Sequence, residues 1–288
     1  MYVKKTVSGL AFLLILWVSY AWSTGQFVFF AIRHRHLMPT PIAELVFSVC
    51  NLDVRDKNGS TPLYVCTRWV RYDLLDYLMA HEDEQLLRKW VKSKNQFGET
   101  ILQAARCNIP TQMLERLIDY GASVNGGPDG LRSPLANFAR CQFTTETIYE
   151  NVKLLLKRGA NPNVRDLYSG KTPLHEAASN KDPRLIRILI DAGADANARD
   201  NTGETPLWYA TVIRAGLHLE PIFPVIQTLL DYGANPAIAS TDSDYHGAGL
   251  CDAIESEISS ETNKNREPEA SRNKEWIKVI KMIKNNSE

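Results

Sequence analysis

His175 and Glu176 stand side by side, the residue types that can share a metal ion or pass a proton. Adjacent positions of a helix do not face each other, so this pair alone cannot converge on one atom. His34 and His36 offer two imidazoles, short of the three or four protein ligands that a zinc ion takes. Their expected role is solvation where the chain leaves a membrane. The five cysteines contain no Cys-x-x-Cys pair and no zinc-ribbon spacing, and an odd number leaves at least one thiol unpaired in a monomer. No phosphate-binding glycine loop, G-x-S-x-G elbow or H-E-x-x-H helix occurs. The sequence therefore predicts no catalytic residue, no metal site, no cofactor and no small-molecule substrate.

Charge and composition narrow the partner. The 288 residues carry 33 Lys and Arg against 33 Asp and Glu, so no overall field steers the chain toward nucleic acid, and none is expected as a ligand. A 44% hydrophobic content is enough for a packed core. Any recognition has to come from local patches.

The elements that would position such patches repeat. Gly121-Ala-Ser-Val-Asn125, Gly159-Ala-Asn-Pro-Asn163, Gly193-Ala-Asp-Ala-Asn197 and Gly233-Ala-Asn-Pro-Ala237 are variants of one phrase. A second phrase alternates with it: Thr61-Pro-Leu63, Thr100-Ile-Leu102, Ser133-Pro-Leu135, Thr172-Pro-Leu-His175 and Thr205-Pro-Leu207. A fixed order of recurring phrases is the signature of a stacked repeat architecture. With these residues the chain resembles the ankyrin-repeat family over about residues 40–260, most fully at Gly170–Ala178 and Leu185–Asn197. The resemblance implies an all-α solenoid of helix-turn-helix units with β-hairpin tips. It also implies that His175 hydrogen-bonds a neighbouring hairpin and that function lies on the concave face.

Physical reasons support each phrase. The Thr or Ser caps a helix, and Pro at its first position has no N–H to lose. Leu and small Ala residues pack inward, and the glycine ends the second helix in a left-handed conformation. Successive caps at 61, 100, 133, 172 and 205 lie 39, 33, 39 and 33 residues apart. With an ankyrin period of 33, the first, third and fifth repeats are expected to carry longer segments between their helices. The predicted organisation is a membrane segment over 1–36, a capping helix over 37–54, and five repeats over 55–238. Residues 239–288 are expected to form a degenerate capping repeat and an amphipathic helix. That helix sets Trp276, Ile277, Val279, Ile280, Met282 and Ile283 opposite Lys278, Lys281 and Lys284.

The N-terminus has a different character. Lys4 and Lys5 precede a run from Val7 to Ile32 without a charged residue, and Arg33 follows it. As a helix these residues would span about 39 Å, enough to cross a hydrocarbon core. A signal peptide cleaved near Ala21 or Ser23 shares nearly all of this pattern. Cleavage there would leave Phe27–Phe30 exposed, which favours an uncleaved transmembrane helix through residues 7–32. The body is then expected outside the cytoplasm, in a periplasmic or comparable compartment.

In the repeat register, Arg68, Arg106, Arg140 and Arg214 fall at nearly equivalent ends of the first helices, with Trp69 beside them. Phe97, Tyr168 and Lys171 fall on the hairpins. Arginine and aromatic residues are favoured interface anchors, so these eight are the expected partner-binding residues and an acidic protein face the expected partner. Cys107 and Cys141, in consecutive repeats, form a candidate disulfide in an oxidising compartment. The sequence thus points to a membrane-anchored or exported binding module without catalytic activity. An inhibitor or immunity protein against an envelope-acting toxin, and a scaffold for a membrane enzyme complex, are its two more specific forms.

Overall fold

The computed structural model describes residues 26–34, 40–127, 132–142, 145–211, 222–238, 278 and 280–284. The chain divides into two compact units, Met1–Pro128 and Asp129–Glu288.

The first unit begins with a helix pair that the repeat phrases do not announce. Helix α1, Gln26–Arg33, packs on α2, Thr40–Val49, and on α3, Pro62–Arg68. Val28, Phe29, Ala31 and Ile32 are at most 1% exposed. Burial on that scale is worth roughly 1.5–3 kcal/mol for each large side chain. The last seven residues of the expected membrane-spanning run, 26–32, therefore lie in a helix docked on the protein core, and the span cannot extend to Ile32 while they are docked. Val7–Gly25, the rest of that run, lies outside the described residues. Among the described residues no helix is long and apolar enough to cross a membrane.

Arg71 fastens this pair to the first repeat. It is 1% exposed and precedes α4, Tyr72–His81. Its Nη1 donates to the carbonyls of Ala31 at 3.2 Å and Ile32 at 3.3 Å, while Nε and Nη2 each donate to Asp73 at 3.1 Å. The Thr40 hydroxyl bonds the same carboxylate. A buried cation thus meets the negative end of α1 and a carboxylate that also holds the start of α2. Burial pushes the Asp73 carboxyl up, but the hydrogen bonds from Arg71 and Thr40 outweigh it and hold the group below its usual range.

Two further features of this unit depart from the sequence expectation. The extension of the first repeat does not lie between α3 and α4, which only Trp69–Arg71 separate. It forms an added helix α5, Glu84–Lys92, capped by Asp83 and buried through Leu87, Trp90 and Val91 at helical spacing. The second repeat then opens on a single turn, α6, Ile101–Ala104, before α7, Thr111–Asp119. Arg106 consequently lies in the connecting loop rather than at a helix end.

The second unit is more regular. Helix pairs α8 and α9 (Pro134–Ala139, Glu146–Lys157), α10 and α11 (Pro173–Ser179, Pro183–Asp191), and α12 and α13 (Pro206–Thr211, Ile222–Asp231) follow in order. The first helices stack α8 on α10 on α12, and α11 stacks on α13. Leu135, Leu174 and Leu207, each two residues after its cap, are buried at the same level of this stack. Between α11 and the next hairpin, Gly193 takes φ +91°, which only glycine adopts without strain. Asparagines then join successive repeats. The Asn163 amide donates to Gly193 O at 2.8 Å and accepts from Asp195 N–H at 2.8 Å, and Asn197 does the same one repeat on with Gly233 and Asn235.

The hairpin tips contain no strand among the described residues; they are tight turns rather than β-hairpins. The described turns close on the side chains of Asp56, Asn95, Asp166 and Asp200, and one main-chain bond links neighbouring tips within a unit. Gln96 N–H reaches Asn58 O at 2.8 Å, and Asn201 N–H reaches Ser169 O at 2.9 Å. Near the C-terminus Ile280 and Ile283 are buried while Lys278, Lys281 and Lys284 are exposed, so the described turn has the two faces its sequence implies. Trp276, Ile277 and Val279, and the degenerate repeat before them, lie outside the described residues.

Candidate functional site

In the first unit the end of α3 and two turn tips border a groove of about 450 Å³. Trp69 caps the C-terminus of α3, its N–H donating to Val65 O at 3.0 Å, and its side chain is 54% exposed. Phe97, on the tip before α6, is 60% exposed. Asn95 shapes that tip: its Oδ1 accepts from Phe97 N–H at 2.9 Å and Glu99 N–H at 3.0 Å. Both aromatics are thus held by backbone constraints and presented to solvent. Arg68, Lys57 and Arg33 line the same groove.

The groove's two carboxylates are already engaged. Asp56 Oδ1 accepts from Asn58 and Ser60 N–H, and its other oxygen pairs with Arg33. Glu99 Oε2 accepts from Tyr64 Oη at 2.6 Å and from Asn95 Nδ2 at 2.7 Å. Burial, followed by that bond to Glu99, drives the Tyr64 phenol far above its ordinary value, so it stays protonated. Arg68 and Lys57 make no hydrogen bond or ion pair through their side chains among the described residues. Charge left unspent in this groove is therefore positive.

The remaining expected binding residues are dispersed. Arg106 is exposed but does not line the groove. In the second unit, Arg140 is the exposed C-cap of α8, and Tyr168 is 77% exposed on its turn. Lys171 is taken up locally, its Nζ lying 4.4 Å from the centre of the Tyr209 ring. Arg214 lies outside the described residues. Sequence reasoning missed Arg33 as a groove residue because it was assigned to the membrane exit. One signal was available: Val54-Arg55-Asp56 matches Val164-Arg165-Asp166 and Ala198-Arg199-Asp200, so a helix pair should precede Asp56 as it precedes the others.

His175 is fully buried and has a structural role. Its Nδ1 accepts from Thr172 N–H at 3.0 Å, which leaves Nε2 to carry the proton donated to Glu204 O at 3.1 Å on the next turn. Burial lowers its pKa to about 4, with the bond to Glu204 acting in the opposite direction. Among the described residues no group of three or more His, Cys, Asp or Glu is placed to hold a metal. Cys107 is exposed in the first unit and Cys141 buried in the second; both sulfurs are disulfide-bonded, whereas Cys50 and Cys66 are free thiols. Burial pushes the Cys66 thiol far up, so it is unreactive. Cys251 lies outside the described residues.

Comparison with known proteins gives the class. Residues 141–240 match the family model for ankyrin repeats in three copies. The ankyrin-repeat domain of Bcl-3 superposes with a TM-score of 0.54 at 20% identity, covering 78% of this chain and 92% of that one. Residues 141–240 are thus ankyrin repeats, and the described residues have the ankyrin-repeat fold. The tyrosine-protein kinase Shark of Drosophila melanogaster is 30% identical over 155 residues, which is 54% of this chain and 15% of the kinase. The putative ankyrin repeat protein FPV031 of fowlpox virus is 34% identical over 99 residues, 34% of this chain and 27% of that protein. The E3 ubiquitin-protein ligase KEG of Arabidopsis thaliana is 41% identical over 61 residues, 21% of this chain and 4% of the ligase. The chain spans well under two thirds of each of these curated relatives, and the activities in their names belong to them.

Proposed function

We propose that this chain is an extracytoplasmic binding module for a protein partner with an acidic face. The observation that carries this reading is the pair of exposed aromatics, Trp69 and Phe97, beside Arg68 and Lys57, which lack partners among the described residues. Affinity purification from membrane extracts is expected to recover a stoichiometric partner with the wild-type chain. Arg68→Glu/Lys57→Glu is expected to weaken its capture at least about tenfold, since losing contacts and adding repulsion each cost about a kcal/mol or more. Undiminished capture by that variant would sink the acidic-face reading. Assay of the purified complex then separates an inhibitor, which lowers the partner's activity, from an assembly factor, which raises or stabilises it.

Delivery is assigned to the segment before α1. The main objection to signal cleavage was the exposed Phe27–Phe30 it would create, and burial of Val28 and Phe29 removes most of that objection. Cys107 and Cys141, each disulfide-bonded, suit an oxidising compartment. We favour cleavage near Ala21–Ser23 over an anchor through Ile32. Intact-mass measurement on the protein from its native membrane or envelope fraction is expected to show loss of about the first 23 residues. A full-length mass, resistant to carbonate extraction, would instead establish an anchor confined to Val7–Gly25.

A further inference from the structure

We propose that the groove of the first unit is a docking site for a short extended segment of the partner, one that sets a bulky apolar side chain beside a carboxylate. This inference rests on the protein-binding reading and makes it local. The groove volume, about 450 Å³, falls within the range that encloses a small ligand and takes a few side chains rather than a folded surface.

Its chemistry is divided in two. Trp69 and Phe97 supply apolar area that folding has left uncovered, and both stand on backbone held by hydrogen bonds. Aromatic side chains turn about few bonds and so lose little conformational freedom on binding, which is why they act as anchors. The polar part is one-sided. Asp56 is paired with Arg33, and Glu99 is bonded to the neutral donors Tyr64 and Asn95, so the three cations Arg33, Lys57 and Arg68 face two carboxylates and the groove keeps an excess of positive charge. An arriving carboxylate has an unspent guanidinium to meet, with geometry suited to two parallel hydrogen bonds. A cationic ligand would meet that positive excess instead.

Helix α1 completes the site. Arg33 borders the groove and holds Asp56, so without a docked α1 that carboxylate would be freed and the groove's positive balance reduced.

The test uses the purified chain against a random twelve-residue phage-displayed peptide library. Wild-type protein is expected to select peptides with an aromatic or large aliphatic residue next to Asp or Glu. Trp69→Ser/Phe97→Ser, which changes only exposed side chains, is expected to lower their affinity roughly thirtyfold, the size of a typical hot-spot loss. Arg68→Glu is expected to shift selection toward Lys- or Arg-bearing peptides. Selected peptides that bind the double variant equally, or that lack a carboxylate, would overturn the assignment. A native partner still captured by Trp69→Ser/Phe97→Ser sinks the groove while leaving protein binding intact. Failure of the wild-type chain to select any peptide or capture any partner sinks both.

Discussion

Replacing Arg71 with Met is expected to cost about 3 kcal/mol or more of the first unit's stability, the range for removing one partner of a buried ion pair. The loss has two parts. Asp73 keeps its charge with Thr40 and the Leu74 N–H left to meet it, although its side chain is 30% exposed and partly hydrated, which limits that share. The carbonyls of Ala31 and Ile32 lose their side-chain donor, and under-satisfied buried acceptors cost about 1–3 kcal/mol. Urea unfolding measures the total. Hydrogen exchange locates it: amides of α1 and α2 should lose protection first, while α10 and α11 keep theirs. Arg71→Lys should fall in between, because one ammonium cannot reproduce the fork that serves both the carboxylate and the helix end. Unchanged protection of α1 in Arg71→Met would mean that apolar packing alone holds the helix.

The second large effect depends on pH and belongs to His175. In the unfolded chain the imidazole takes up a proton below about pH 6.5. In the fold burial delays protonation to about pH 4. Below pH 6.5 the unfolded state therefore binds the extra proton, and stability falls as the pH drops toward 4, then levels off for this group. The full contribution is about 3 kcal/mol, with about two thirds of it lost by pH 5. His175→Gln is the informative control, because Gln103 already fills the equivalent place in the second repeat and accepts from Thr100 N–H at 2.8 Å. The glutamine keeps a cap bond and does not titrate. Its unfolding free energy should change less between pH 7 and pH 5 than that of the wild type. An identical slope for the two proteins would remove His175 as the cause.

The second unit was legible because its phrases report local necessity. A cap, a proline, a buried leucine and a left-handed glycine each satisfy a backbone requirement, and they recur wherever that requirement recurs. Helix α1 shows why the other end was harder. Val28, Phe29, Ala31 and Ile32 would serve a lipid environment as well as a protein core, and no cap or Gly-Ala phrase marks them as part of the array. Only the Val54-Arg55-Asp56 echo downstream implied a preceding helix pair. Helix α5 was hidden differently: cap-to-cap spacing gave the length of the insertion, and Asp83 with Leu87, Trp90 and Val91 held the clue to its place. In the groove, repeat register singled out Arg68, Trp69 and Phe97. Engagement of Asp56 and Glu99 decides which cations are left for a partner, and that depends on side-chain contacts across 35 residues or fewer of chain separation that no spacing rule reports.

The latch that Arg71 forms also sets a clock. Its bonds to Ala31 join residues 40 positions apart, so α1 leaves the ribosome well before the side chain that will hold it. At about 5–20 residues per second, that gap lasts roughly 2–8 s. During those seconds Phe27–Phe30 have no finished core to enter. Once Arg71 arrives, α1 folds away and the interval closes.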